Sequence, residues 1–157
     1  MSGKLSDVPL TERLSEVDKA YLAGLFDGEG TIGYYNYRNR YEPTVMVTNC
    51  DPRIMDWLDL NVGYGNVVSL KTTDHNRKHV VHHWRVTGKK RTHDFLKAVA
   101  PYLMIKREQA DLLLGLWETE ATYNKITPAV LEHRAEVADE LKRLKRSNLT
   151  LTESILH

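Results

Sequence analysis

Apolar positions along this chain recur at two periods, about 3.6 and 2 residues, and the switching between them divides the chain into helices and strands. Leu22, Leu25 and Phe26 stand at i, i+3 and i+4 and share one face of a helix expected over about Ser15 to Asp27. Ser15, with Asp18 three residues on, reads as its N-cap with a partial capping box, and Gly28 and Gly30 as the residues that end it. Thr31 to Arg40, rich in Tyr and β-branched residues, and Tyr41 to Thr48, alternating about Val45 and Val47, predict an antiparallel pair turning near Arg38 to Tyr41. Asp51 and Pro52 open a short helix through Ile54, Trp57 and Leu58, ended by Gly63. Gly65 to Thr72 and His79 to Thr87 predict a second hairpin around the polar turn Asp74 to Lys78. Helices follow over Thr92 to Ala100, broken by Pro101, over Ile105 to Tyr123 with Ala110, Leu113, Leu114 and Trp117, and over Pro128 to Leu149 with Val130, Val137, Leu141 and Leu144. The order is αββαββα followed by further helix, an α+β fold without internal repeat.

With 157 residues and 41% hydrophobic content, the chain suits one core. Residues 1–14 read as an N-terminal extension and 15–157 as a single domain. The formal net charge of +1 gives no global field for a polyanion, so any such surface must come from local segregation. Segregation is present: between Lys71 and His93 stand Lys71, Arg77, Lys78, Arg85, Lys89, Lys90 and Arg91 against the single acid Asp74. The lone Cys50 excludes an intrachain disulfide and a structural zinc site of cysteine type, and points to an intracellular protein of cytoplasm or organelle. No apolar run reaches the length of a membrane span, and the first residues are polar and acidic, unlike a secretory signal.

The stretch YLAGLFDGEG, Tyr21 to Gly30, runs an apolar helix into two glycines and two carboxylates. On the expected boundaries Glu29 lies in the turn just past the helix C-terminus, where the macrodipole disfavours an anion by a few tenths of a kcal/mol or more, and a cation partner is called for. As spacing alone, the same residues also describe a surface turn with solvated acids. The stretch resembles the signature of the LAGLIDADG homing endonuclease family in its Leu-Ala-Gly-Leu opening, its first acid Asp27 and its last glycine Gly30, with Glu29 in the place of the second acid.

That resemblance implies a homing-endonuclease fold with a saddle-shaped antiparallel sheet entering the major groove, and an additional C-terminal helix. One copy of the motif resembles the members that work as homodimers, with the motif helices paired through Leu22, Ala23, Gly24 and Phe26 and two copies of Glu29 brought side by side. It further implies metal-dependent hydrolysis of DNA phosphodiesters, with Glu29 and the Gly28 carbonyl as ligands to Mg²⁺, Mn²⁺ being a substitute. Asp27 is expected to bond backbone amides at the turn. VTNCDPR resembles the family segment that places an amide and an arginine at the site, nominating Asn49, where the family often has Gln, and Arg53; PYLMIKREQADLLL nominates Lys106 for the scissile phosphate.

Alternation sorts the strand faces. With Ile32, Val45, Val47, Val67, Trp84 and Val86 inward, the DNA-facing set is Thr31, Gly33, Tyr35, Tyr37, Thr44, Met46, Val68, His83 and Arg85, while Arg38, Arg40, Lys71, Arg77 and Lys78 reach phosphates; in the second hairpin the adjacent Val67–Val68 and Ser69–Leu70 leave both registers open. The cluster from Asp74 to His79 lacks the metal-binding helix of an HNH nuclease and reads as a hydrated basic loop. Two functions remain open: a site-specific endonuclease that cuts both strands of a long, nearly palindromic duplex to leave short 3′ overhangs, and a non-cleaving nucleic-acid-binding protein of the same fold, such as an RNA splicing maturase or a transcription regulator.

Overall fold

The computed structural model describes residues 7–156, so residues 1–6 of the expected extension lie outside the described part. Its elements are α1 (Leu10–Arg13), α2 (Glu16–Glu29), β1 (Gly30–Tyr37), β2 (Arg40–Asn49), α3 (Pro52–Val62), β3 (Asn66–Asp74), β4 (Arg77–Thr87), α4 (Lys89–Val99), a 3₁₀ turn (Ala100–Tyr102), α5 (Arg107–Glu120) and α6 (Pro128–Leu156). The strands form one antiparallel sheet in the order β1-β2-β4-β3, so the two hairpins meet along β2 and β4. Among the described residues no helix is long and apolar enough to cross a membrane.

Both hairpins close more tightly than the composition of their turns suggests. Arg38 and Asn39, with φ of 52° and 64°, and His75 and Asn76, with 44° and 64°, are the only loop residues between the paired strands. Positive φ at both central positions matches the right-handed twist of the strands. The five-residue turn expected over Asp74 to Lys78 is therefore corrected to two residues, with Asp74 paired to Arg77 inside the ladder.

Direct cross-strand partners share a face, and this places the core. Ile32, Val45 and Val86 form one row, and Val47, Trp84 and Val67 the next. All but Val67 are buried. Val67 faces the helices as expected but stays 42% exposed, because β3 is an edge strand reaching past their cover. Gly65, at φ 104°, leaves room for the Trp84 indole, which a Cβ would meet at 2.5 Å. Across the sheet, Leu22 and Phe26 of α2, Leu58 of α3 and Phe95 of α4 are fully buried. The Phe26 and Phe95 rings meet edge-on at 5.1 Å, and each such side chain contributes about 1.5–3 kcal/mol by leaving water.

The segment before α2 is part of this domain. Leu10 and Leu14 are buried in the core; the Leu10 amide donates to Asp94 at 3.0 Å, and Arg13 donates to the Val62 carbonyl at the end of α3 at 2.8 Å. At the other end of the chain Arg134 of α6 donates to the buried Glu120 carboxylate of α5 at 2.6 Å, joined by Lys89 of α4 at 3.3 Å. Burial alone would raise the Glu120 pKa, but the two cations hold it below the usual glutamate value. The Glu120 carboxylate thus ties α4, α5 and α6 together.

Candidate active site

The two ends of α2 follow different rules. Its start is local: Ser15 Oγ accepts from the Asp18 amide at 3.1 Å. Its end is decided from far along the chain. The Asp27 carboxylate accepts from the amides of Met104 at 2.8 Å, Ile105 at 3.2 Å and Lys106 at 3.0 Å, three successive donors of the turn that leads into α5, the last of them at its N-cap. α5 consequently starts at Arg107, later than the expected Ile105. Asp27 thus bonds backbone amides of a distant segment rather than those of its own turn.

The helix then continues two residues past its expected end. Glu29 is its last residue, and the Gly30 amide closes the final turn on the Phe26 carbonyl. Any Cβ at Gly30 would fall 2.1 Å from the Phe26 ring, so the change of direction into β1 requires glycine. Glu29 is exposed and, among the described residues, makes no hydrogen bond or salt bridge. An acid at the negative end of a helix dipole, without a protein cation bonded to it, is a group awaiting a positive partner.

Lys106 stands beside it. Its Nζ donates to the Asp27 carbonyl at 2.7 Å, anchoring the ammonium to the last turn of α2. Burial lowers the Lys106 pKa below the ordinary lysine value, against the opposing pull of Asp27 and Glu29. Since the Glu29 charge raises that pKa, Glu29→Gln should lower it further; an NMR titration of the Lys106 side chain showing no downward movement would separate the two groups.

Asn49 and Arg53 form a neighbouring cluster. The pairing of Gly30 with Val47 carries the end of β2 alongside the last turn of α2. Asn49 Oδ1 accepts from the Asp51 amide at 2.8 Å, and Asp51 caps α3 through the Arg53 amide at 2.9 Å. The Arg53 guanidinium grips the Asp51 carboxylate, with a shortest contact of 2.6 Å, and its hydrogen bonds push the Asp51 pKa down to about 2. No hydrogen bond joins this cluster to Asp27, Glu29 and Lys106 among the described residues. Arg53 is already carboxylate-bound, and reaching a phosphate requires exchanging one anion for another.

The expected pairing face of α2 is corrected. Leu22, Ala23 and Phe26 are all 0% exposed and belong to the chain's own core. Gly24 is the member of that set that looks outward, with Val17, Ala20, Tyr21 and Gly28. At Gly24 and Gly28 an added Cβ would meet nothing. The helix therefore presents a ridge of small residues, Ala20, Gly24 and Gly28, flanked by the exposed Val17 and Tyr21, and the apolar stripe legible in the sequence is its inner side.

Register places the groove-facing candidates. Thr31, Met46 and Arg85 lie in one row across the sheet, and Thr48, His83 and Val68 in the next, on the face away from the helices. Tyr35 and Tyr37 extend this face on β1, opposite Glu42 and Arg40. Gly33 drops out as a contact: it is buried, with the Tyr35 ring and Thr44 over the space its side chain would fill. Arg38 sits in the β1–β2 turn, its guanidinium 5.2 Å from the Tyr37 ring centre. Lys71 and Lys78 alternate onto the helix-side face of the second hairpin, whereas Arg77 stays with the outer set.

Lys145 was not singled out in the sequence. It continues the α6 stripe of Val137 and Leu141 at four-residue steps, and is half-buried. Burial, and then the like charge of Lys106, lower its pKa. A lysine where an apolar stripe should continue was the available signal. The donor set fits a divalent ion: the Glu29 carboxylate and the Gly28 carbonyl, past the last intrahelical bond, are hard oxygens suited to Mg²⁺. One chain supplies only part of a site, since no group of three metal-binding side chains occurs among the described residues.

The order of elements, the four-stranded sheet and the acid-ended helix beside it define the class: this is the homing-endonuclease fold. I-CvuI, solved in complex with the I-CreI target in the presence of Mg, is 24% identical with a TM-score of 0.66 over 82% of each chain. An archaeal intron-encoded homing endonuclease complexed with DNA is 14% identical with the same TM-score of 0.66, covering 82% of this chain and 84% of its own. I-LtrWI, bound to target DNA, is 17% identical with a TM-score of 0.60 over 81% of this chain and 45% of its own. No curated protein sequence matches the chain. The LAGLIDADG-like domain model matches residues 16–100, and the chain belongs to the LAGLIDADG family.

Proposed function

We propose that the protein is a site-specific DNA endonuclease acting as a homodimer on a long, nearly palindromic duplex, cutting both strands to leave short 3′ overhangs. The observation that carries this reading is Glu29: an exposed acid at the negative end of α2, without a bonded cation among the described residues, beside a lysine anchored to the same helix end. I-CvuI and the archaeal enzyme share this fold and are each complexed with DNA, which supports DNA as the partner. Isologous pairing along Val17, Ala20, Gly24 and Gly28 brings two copies of Glu29 together and completes the donor set that one chain leaves partial.

Glu29 and the Gly28 carbonyl of each subunit would hold the divalent ion, Mg²⁺ or in its place Mn²⁺. When bound it supplies neutralisation of phosphoryl charge and a water of lowered pKa. Lys106 offers a cationic donor to a phosphate oxygen, its Nζ positioned by the Asp27 carbonyl. Lys145 adds a second positive charge on the α6 side. Arg53 can release Asp51 for phosphate when the duplex arrives.

The test is to incubate the protein with a randomised duplex library and Mg²⁺ and sequence the cut ends. Enriched near-palindromic sites with 3′ overhangs are expected. Recovery of bound but uncut nucleic acid would overturn cleavage in favour of a non-cleaving binder.

A further inference from the structure

The groove-facing side of the β3–β4 hairpin, at one edge of the sheet, carries an apolar patch. Leu70 of β3 lies directly opposite Val81 of β4, and Val68 stands two residues before Leu70 on the same face, opposite His83. Val68 is 53% exposed and Leu70 49%. Edge strands usually point charge or proline outward, because exposed apolar side chains there invite association. Here the helices cannot cover the patch, since it lies on the other face of the sheet.

Its polar neighbours are engaged within the sheet. His83 Nδ1 is bonded to Thr48 Oγ1 at 2.8 Å, and His79 Nε2 to Thr72 Oγ1 at 2.8 Å. Charge is available at the margins, from Arg85 one row away and Arg77 at the hairpin tip. A surface with cations around an apolar centre matches the major groove, where the one apolar feature on a base edge is the C5-methyl of thymine.

We infer that Val68, Leu70 and Val81 select thymine methyl groups in each half-site, making this patch a specificity determinant that reads by apolar contact rather than hydrogen bonding. The inference rests on the endonuclease reading above and adds to it a composition for part of the target. Val68 and Leu70 are about 6.8 Å apart along the strand, close to two base-pair steps of about 3.4 Å. Selected half-sites should accordingly favour thymines at two positions about two steps apart.

Deoxyuridine tests this with the protein unchanged, since it differs from thymidine only by that methyl. A site recovered by library selection is synthesised with thymine or with uracil at the favoured positions, and binding is measured by electrophoretic mobility shift in Mg²⁺-free buffer. Each lost methyl should weaken binding about four-fold, and the double variant Val68→Ser, Leu70→Ser should bind the two duplexes alike. Equal binding of thymine and uracil sites by the wild type, or selected half-sites with no thymine preference, would overturn the inference and leave the endonuclease reading intact. Retention of no duplex DNA would overturn both.

Discussion

Glu29→Gln should abolish cleavage while leaving target binding within about three-fold of the wild type. Glutamine keeps the size of the side chain and removes the charge that would hold a divalent ion, so the loss falls on the reaction: a rate lower by roughly a thousand-fold or more. The fold should not suffer. Glu29 is exposed, bonds nothing among the described residues and ends α2; neutralising an anion there relieves the helix dipole by a few tenths of a kcal/mol. Single-turnover cleavage of a selected site and mobility shift of the same duplex check the two halves of the expectation. Cutting by the variant at the wild-type rate would remove Glu29 from the chemistry.

Gly24→Leu should produce a well-folded monomer that no longer cuts duplex DNA. The position lies on the outer ridge of α2, where a Cβ meets nothing in the chain. Leucine is the better helix former by up to about 1 kcal/mol, so the melting temperature at low protein concentration should hold or rise. A bulky side chain on a ridge of small residues nevertheless keeps two helices from approaching. Sedimentation equilibrium should give the monomer mass for the variant and the dimer mass for the wild type; a dimer in both would exclude this ridge as the pairing surface. Leu22→Ala is the contrasting case. Leu22 is fully buried, and its truncation should cost about 2–5 kcal/mol of folding stability.

The contrast between Gly24 and Leu22 shows where sequence reading stopped. A 3.6-residue repeat reveals that Leu22, Leu25 and Phe26 share a face, but not whether the covering surface is the chain's own sheet or a second copy. The chain's own core, Phe95 of α4 included, buries Leu22 and Phe26 completely. Strand alternation was more informative, because a face of period two can be checked against its neighbours: Ile32, Val45, Val47, Trp84 and Val86 all lie inward as expected. It could not tell that β3 is an edge strand, and Val67 is exposed for that reason. Nor did the turn residues announce themselves, since neither tight turn contains glycine.

By itself the sequence determined the α+β class, the order of the main elements from α2 onward, the caps at Ser15 and Asp51 and the family signature from Leu22 to Gly30, but not the short helix α1 before them. These follow from local chemistry, in which a side chain bonds or packs within a few residues of itself. Only the tertiary structure decided that α2 runs on to Glu29, that Asp27 caps a segment 77–79 residues away, that Lys106 is anchored beside both acids, and that Arg53 is bound to Asp51. Orphaned amides and buried charges take whichever partner the packed chain brings within reach, and that choice leaves no periodic trace in the sequence.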